Sequence, residues 1–141
     1  MQLQLIITTP NGIFFNEKVD IVTVVTAGGH IGIQYGHQPL ISTIEISELH
    51  INTEGHKDYR ICSINGGLLY VEKDKANIIT GAIEFKEDID IEKARREHDY
   101  LVEILSNSKN KDSDYFRNEL KLKKVINRLK ISSNSTQSPK K

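Results

Sequence analysis

Apolar and polar residues alternate with a period of two through most of residues 1–80, and this pattern predicts β-strands. In the first strand, Leu3–Thr9, the side chains of Leu3, Leu5 and Ile7 share one face. Turn residues such as Pro10-Asn11-Gly12 separate the strand-like segments at intervals of roughly 8–12 residues. Further strands are predicted over residues 13–17, 19–26, 31–33, 40–45, 46–53, 59–64, 68–72 and 76–80. The expected fold is a β-sandwich of about ten antiparallel strands with no helix among them, so a parallel sheet is not expected.

After Gly81 the apolar residues follow a helical period instead. Asp90 is a good N-cap for a first helix, which carries an apolar stripe of Ile91, Ala94, His98, Leu101, Val102 and Leu105. A second helix is predicted from about Asp114 to Lys130, capped by Asp112 or Ser113, with a stripe of Tyr115, Leu122, Val125, Ile126 and Leu129. Two amphipathic helices joined by a short loop predict an antiparallel helical hairpin.

The chain is therefore expected to have three parts. These are a β-sandwich domain over residues 1–85, a helical hairpin over 86–131 and a disordered polar tail over 132–141. Each helical stripe is narrow, and an isolated pair of such helices buries little surface. The hairpin must therefore rest on the sandwich, rest on a partner, or switch between the two.

Formal net charge is zero, but it is unevenly distributed along the chain. Residues 1–88 carry 6 Lys and Arg against 11 Asp and Glu, whereas residues 89–141 carry 13 against 8. This asymmetry predicts a negatively charged partner near the C-terminal segment, either an acidic protein surface or nucleic acid. No aromatic platform accompanies the basic residues, which favours the acidic protein surface. The basic residues of the second helix are Arg117, Lys121, Lys123, Lys124, Arg128 and Lys130.

Candidate catalytic chemistry is sparse in this sequence. The one cysteine, Cys62, lies in a strand-like segment and is interpreted as a small strand residue that cannot form an internal disulfide. The five histidines have no metal-ligand spacing, and no nucleophile elbow or phosphate loop is present. The sequence predicts a non-catalytic protein with no metal site. It also has no apolar run of 18 residues and no recognisable secretory signal, so neither a spanning helix nor secretion is expected.

The most distinctive stretch runs from Ala27 to Thr43, where four glycines and a proline lie among β-branched residues. Glycine at this density indicates turns with positive φ or close backbone approach. A short strand is expected between two turns, and each turn carries a histidine, His30 or His37. Without a third ligand these two histidines are interpreted as surface contact residues and not as a zinc pair.

Three motifs in this sequence together resemble a known family. They are Gly-x-Ile-Gly-x-x-x-Gly-His-x-Pro-Leu over residues 29–40, Ile-Asn-Gly-Gly-Leu-Leu-Tyr-Val over 64–71, and Ile-Asp-Ile-Glu-Lys-Ala over 89–94. In order and spacing they resemble the epsilon subunit of the F-type ATP synthase, from about Leu3 to Ile131. The sequence departs from the family pattern at His30, where Glu is frequent, at Tyr35, where Pro is frequent, and at Lys93, where Arg is usual.

The resemblance implies a non-catalytic rotor subunit of the central stalk of a proton-translocating ATP synthase. Its sandwich would couple the gamma subunit to the membrane ring of c subunits. Its C-terminal helices would inhibit ATP hydrolysis by reaching the beta and alpha subunits of the catalytic head. The subunit would lie peripherally on the cytoplasmic side of the cell membrane.

The resemblance also assigns site residues. The c-ring interface would contain Gly29, His30, Gly32, Tyr35, Gly36, His37 and Pro39, and the six basic residues of the second helix would be inhibitory. Weak regulatory ATP binding would involve Glu84, Ile89, Asp90, Lys93 and Ala94. Lysine at position 93 can meet a phosphate but lacks the bidentate fork of arginine. The alternative function is a soluble β-sandwich adaptor whose basic hairpin binds nucleic acid or another acidic partner.

Overall fold

The computed structural model describes residues 1–134, and the chain forms two compact units, Met1–Phe85 and Lys86–Lys141. Within the described residues the first unit has eight strands and no helix. The strands are β1 (Leu3–Thr9), β2 (Gly12–Val19), β3 (Val22–Thr26), β4 (Gly29–Ile33), β5 (Leu40–Ile51), β6 (Arg60–Val71), β7 (Lys75–Ile79) and β8 (Ile83–Phe85). The sandwich-plus-hairpin fold expected from the sequence is confirmed.

The strands are hydrogen-bonded in the order β2-β1-β7-β6-β5-β3-β4, and β8 pairs with β6 outside this path. Every pairing is antiparallel except that of β1 with β7, which is parallel. The expectation of a wholly antiparallel arrangement was therefore wrong at one pair. Parallel neighbours need a long connection, and here five intervening strands supply it in place of a helix.

The strand count is eight in the described residues, and not about ten, because two predicted interruptions do not occur. The segments predicted over residues 40–45 and 46–53 form the single strand β5, and those over 59–64 and 68–72 join in β6. Gly66 has a φ of 83°, but the ladder to β5 resumes on both sides of it. The third strand was predicted to begin at residue 19, but it begins at Val22. Val19 is instead the last residue of β2, where it pairs with Leu3. The three-residue strand β8 was too short to predict.

Alternating side chains from these strands form one hydrophobic core, which is the main source of stability for the unit. The inward set predicted for the first strand is confirmed, since Leu3, Leu5 and Ile7 are fully buried. Cys62 is buried in the same core and forms no disulfide, as expected for a small strand residue. The remaining core residues are Val19, Val22, Val24, Ile33, Ile44, Leu49, Ile51, Ile64, Leu69, Val71, Ala76 and Ile78.

Asn52, just after β5, joins two loops of the first unit. It has a φ of 65°, a left-handed conformation that asparagine tolerates better than most residues. Its side-chain oxygen accepts from the Asp20 amide at 2.8 Å, and its side-chain nitrogen donates to the Asp58 carbonyl at 3.1 Å. The β2–β3 connection and the β5–β6 loop are therefore held to each other by one buried amide.

The second unit begins with a single 3-10 turn, Lys86–Asp88, followed by α1 (Ile91–Asn107) and α2 (Ser113–Asn134). The two predicted N-caps are present: Asp90 accepts from the Lys93 amide at 3.0 Å, and Asp112 accepts from the Tyr115 amide at 3.0 Å. The helices pack through a small apolar seam of Ala94, Leu101 and Val125, with Leu122 and Leu129 beside it.

Some details of the hairpin differ from expectation. The helical stripes were predicted to include Ile91, Val102 and Ile126, but these side chains are 42%, 42% and 46% exposed, because they lie at the margin of the narrow seam. The second helix does not end at Lys130: it continues through Ser132 and Ser133. These two serines donate their hydroxyl hydrogens to carbonyls three residues earlier, which is compatible with a helix.

The predicted disordered tail over residues 132–141 thus begins with three helical residues, and residues 135–141 lie outside the described part of the chain. In residues 1–134, no helix combines the length and apolar character needed to span a membrane.

Gly67 offers a direct test of the packing between β6 and β7. A Cβ at this position would collide with the backbone oxygen of Ile79 and would lie 3.2 Å from the Thr80 side chain. We predict that Gly67→Ala lowers the free energy of unfolding by about 1–3 kcal/mol, because a packed backbone cannot make room without moving. Urea unfolding followed by circular dichroism measures this change.

Gly81→Ala is the matched control for this substitution. A Cβ there would have no atom within 4 Å, so we expect a change well below that at Gly67. Equal effects of the two substitutions would contradict the close approach of β6 and β7.

Candidate functional site

The predicted ring-facing stretch starts in the tight hairpin between β3 and β4. The Thr26 hydroxyl accepts from the Gly28 amide at 3.1 Å and donates to the Gly29 carbonyl at 3.0 Å. Gly29 has a φ of 115°, a value that favours glycine. In the described residues β4 pairs only with β3, so it is an end strand of the sheet, and His30 and Gly32 are exposed on it.

The rest of this stretch forms the connection from β4 to β5. Gly36 has a φ of 89°, and its amide donates to the Lys73 carbonyl at 2.7 Å, which ties the connection to the β6–β7 turn. The Nδ1 atom of His37 donates to the carbonyl of Gln38 at 2.7 Å. Tyr35 is half-buried, and Pro39 is exposed. The seven predicted residues therefore belong to one end strand and the turn that follows it.

A second surface of the first unit was missed in the sequence. Four large apolar side chains, which we call the outer apolar patch, occupy adjacent positions on β5, β6 and β7: Ile41, Leu68, Tyr70 and Ile79. In the ladder Ile41 lies opposite Tyr70 and Leu68 lies opposite Ile79, so the four side chains form a continuous exposed group. Exposed apolar groups of this kind mark interaction sites.

The signal for this patch was present in the sequence pattern. In β6 the buried residues Leu69 and Val71 alternate with Leu68 and Tyr70, so both faces of the strand are apolar. A strand with one face in water normally carries polar residues on that face.

The basic residues of α2 do not form one face. Arg117, Lys121, Lys124 and Arg128 follow one another at helical spacing along one side, whereas Lys123 and Lys130 lie seven residues apart on another. Several of these charges also have partners within the hairpin. Arg117 pairs with Asp114 at 2.6 Å, and Arg128 lies 4.0 Å from Glu97 of α1. The exposed lysines Lys121, Lys123 and Lys130 are the charges best placed for a partner.

The five residues assigned to ATP divide between the two units. Glu84 is in β8, whereas the other four lie at the start of α1. There Asp90 is engaged as the helix cap, Ile89 and Ala94 are buried, and Lys93 alone offers an exposed cation. The four residues at the start of α1 are therefore explained equally well as an ordinary helix start that binds no ligand.

A groove of about 510 Å³ runs between α1 and α2 within the second unit. Arg95, His98 and Lys130 line it together with apolar side chains from Ile91, Ile126 and Leu129. His98 was predicted to share the stripe of the first helix with Ile91, whereas Arg95 was not assigned to that stripe. The spacing of Ile91, Arg95 and His98 by four and then three residues is the signal that could have united one wall of the groove.

Metal binding finds no support among residues 1–134, where no group of three His, Cys, Asp or Glu side chains is suitably placed.

The chain combines a β-sandwich unit, which has an exposed apolar surface, with a basic helical hairpin. These are the features of a protein that acts by binding other proteins. Residues 2–86 match the family described as "ATP synthase, Delta/Epsilon chain, beta-sandwich domain". An ATP synthase epsilon chain of Mycoplasma mobile is 46% identical over 135 residues, which cover 94% of each chain. One of Bacillus mycoides is 32% identical over 126 residues, covering 89% of this chain and 92% of the relative. The chain therefore belongs to the ATP synthase epsilon chain family, as the three motifs predicted.

Solved structures share the fold. A chain of the Euglena gracilis mitochondrial ATP synthase matches with a TM-score of 0.74 at 21% identity, covering 96% of this chain and 82% of that one. A chain in the central stalk and c-ring structure of the Tetrahymena thermophila mitochondrial enzyme matches with a TM-score of 0.58 at 12% identity. Family membership makes the chain a non-catalytic subunit of the ATP synthase and disfavours the nucleic-acid-binding adaptor.

Proposed function

We propose that the chain is the central-stalk rotor subunit of an F-type proton-translocating ATP synthase. In this proposal the first unit couples the gamma subunit to the c-subunit ring, and the second unit inhibits ATP hydrolysis. The observation that carries the proposal is the 46% identity to an epsilon chain over 94% of both sequences, because this match includes both units. The subunit would then lie with its complex on the cytoplasmic side of the cell membrane, as a peripheral protein.

Two surfaces of the first unit suit two different neighbours in this proposal. The outer apolar patch fits a long-lived contact with the gamma subunit, because permanent interfaces are more apolar than transient ones. The stretch from Gly29 to Pro39 would face the c-subunit ring. Its glycine turns present backbone without bulky side chains, which allows another protein to approach closely.

The second unit suits a regulatory role because its own core is small. Its buried apolar residues in the described part of the chain are five, Ile89, Ala94, Leu101, Val125 and Ile131, and its ion pairs are solvent-exposed or long. Segments with few buried apolar contacts open at low cost in free energy. The hairpin could therefore exchange its own packing for contacts with the catalytic head, where its lysines would meet acidic residues of the beta and alpha subunits.

The outer apolar patch can be tested by assembly with the gamma subunit. We predict that Ile41→Ser combined with Ile79→Ser weakens binding by about a hundredfold or more, since loss of two buried apolar side chains at an interface removes about 1.5–3 kcal/mol each. Titration calorimetry or surface plasmon resonance with purified gamma subunit measures the change.

Ile13→Ser is the control for this pair, because Ile13 is 64% exposed on β2 and lies outside the patch. Equal affinity of the wild-type chain and the patch variant would show that gamma binds elsewhere.

The inhibitory role of α2 can be tested through its exposed lysines. We predict that Lys121→Gln combined with Lys123→Gln raises ATP hydrolysis by the reconstituted complex. Each lost charge pair is worth up to about 1 kcal/mol when exposed, so the rise should be a few-fold. Higher salt should reduce the difference between variant and wild type, because exposed pairs are screened.

Lys18→Gln combined with Lys57→Gln removes the same charge from the first unit and should leave hydrolysis unchanged. A similar rise in both double variants would attribute the effect to net charge, and no rise in the α2 variant would remove the lysines from inhibition.

Regulatory ATP binding is proposed to be weak, because Lys93 is the one exposed cation among the five residues assigned to ATP. We predict a dissociation constant on the order of 1 mM, which corresponds to about −4 kcal/mol. Lys93→Arg should tighten binding by restoring the bidentate fork. Calorimetry of the isolated chain with ATP measures both values, and micromolar affinity of the wild-type chain would contradict the proposal.

A further inference from the structure

Gly32 of β4 differs from two other glycines of the predicted ring-facing stretch. Gly29 and Gly36 have φ values of 115° and 89°, and a Cβ at either position would meet no atom within 4 Å. Backbone conformation explains why these two residues carry no side chain. Gly32 does not have a positive φ. A Cβ there would lie 3.0 Å from Cδ1 of Ile21, closer than carbon atoms normally pack. The space over Gly32 is therefore taken by the side chain of Ile21.

Ile21 lies in the connection between β2 and β3, and Asn52 holds the backbone of this connection. The Asn52 amide donates to the Ile21 carbonyl at 2.7 Å, and the Asp20 amide donates to the Asn52 side-chain oxygen at 2.8 Å. Asn52 is 4% exposed, and its side-chain nitrogen donates to the Asp58 carbonyl at 3.1 Å. The residue that covers Gly32 is thus fixed to the end of β5 and to the loop that follows it.

The contact between Ile21 and Gly32 lies where the β3–β4 hairpin joins the rest of the sheet. β4 pairs with β3 along its whole length, whereas β3 pairs with β5 through two residues, Val22 and Thr23, in the described part of the chain. These two residues directly follow Ile21, and Thr23 lies opposite Gly32 in the ladder. The Ile21 side chain therefore braces β4 beside the short pairing that attaches the hairpin.

We propose that Ile21 is a positioning residue for the ring-facing stretch. Its side chain occupies the space over Gly32 and fixes β4, and Asn52 in turn fixes Ile21. His30 lies two residues before Gly32, on the same exposed face of β4, and is positioned with it. The inference rests on the proposed contact between the Gly29–Pro39 stretch and the c-subunit ring, because Ile21 would act on the ring through β4.

Moving one carbon atom from residue 21 to residue 32 tests the contact in the full chain. Gly32→Ala adds a Cβ at the point of close approach, and Ile21→Val removes Cδ1, the atom 3.0 Å away. The Cγ1 atom of residue 21 would then be 3.7 Å from the new Cβ, an ordinary packing distance. The double variant conserves the number of carbon atoms, so it should restore the position of β4.

Amide hydrogen exchange of residues 29–33 measures how firmly β4 is held, without any need for the ring. We expect each single substitution to speed exchange about twofold or more and the double variant to return it to the wild-type rate. Asn52→Gly should also speed it, because glycine keeps the left-handed backbone but loses both side-chain hydrogen bonds. Ile13→Val, the same one-carbon change on exposed β2, is the control and should have no effect. Unchanged exchange in both single variants would overturn the proposal.

The functional readout is the number of protons pumped per ATP hydrolysed by the reconstituted complex. We expect Gly32→Ala to lower this ratio about twofold or more and the double variant to recover it. Because Gly32 itself belongs to the predicted interface, its new methyl group could also meet the ring directly. Ile21→Val would not reverse such a direct effect, so a loss that persists in the double variant would overturn the positioning role.

His37→Ala separates failure of this inference from failure of the proposed ring contact. This substitution alters the ring-facing stretch in the turn after β4, outside the contact with Ile21. Normal pumping in Gly32→Ala together with a loss in His37→Ala would overturn the role of Ile21 and leave the ring contact standing. Normal pumping in both variants would overturn the ring contact as well.

Discussion

The burial of alternate side chains in the first unit is the interaction on which the rest of the structure depends. Sixteen residues from seven strands form its core, whereas five apolar residues of the second unit are buried in the described part of the chain. Hydrophobic stabilisation scales with the apolar area removed from water, so the two units must differ greatly in stability. A firm sandwich and a marginal hairpin are the properties that a coupling platform and a regulatory switch respectively require.

The sequence predicted the two units because each has a clear periodicity. Alternation over Leu3–Thr9 and the helical spacing after Asp90 both follow directly from backbone geometry. The prediction failed where a local signal was ambiguous. A break was predicted between the strands over 59–64 and 68–72, since Gly66 and Gly67 suit a turn or a bulge. Both glycines lie inside β6, because pairing with β5 and β7 outweighs that local preference. The parallel β1–β7 pair joins distant segments, which periodicity cannot report.

The candidate surfaces were predictable to different degrees. The Gly29–Pro39 stretch stood out because its glycines and proline are unusual, and its turns have the positive φ values expected at Gly29 and Gly36. The two apolar faces of β6 signalled part of the outer apolar patch, but Ile41 and Ile79 could not be assigned to it from the sequence alone, because they adjoin β6 only through strand pairing. The same holds for the hydrogen bond between His50 of β5 and the hydroxyl of Tyr59, which lies nine positions later. The pairing of Arg128 with Glu97 likewise required the geometry of the hairpin.

The central claim is that the hairpin restrains the catalytic head while the sandwich maintains the connection through the stalk. ATP hydrolysis by the reconstituted complex tests it most directly, with the full chain compared to one that lacks residues 112–141. The account predicts that the shortened chain still assembles and that hydrolysis rises, because the sandwich has its own core and the inhibitory helix is gone. Normal assembly with unchanged hydrolysis would contradict it and would leave the hairpin without a regulatory role.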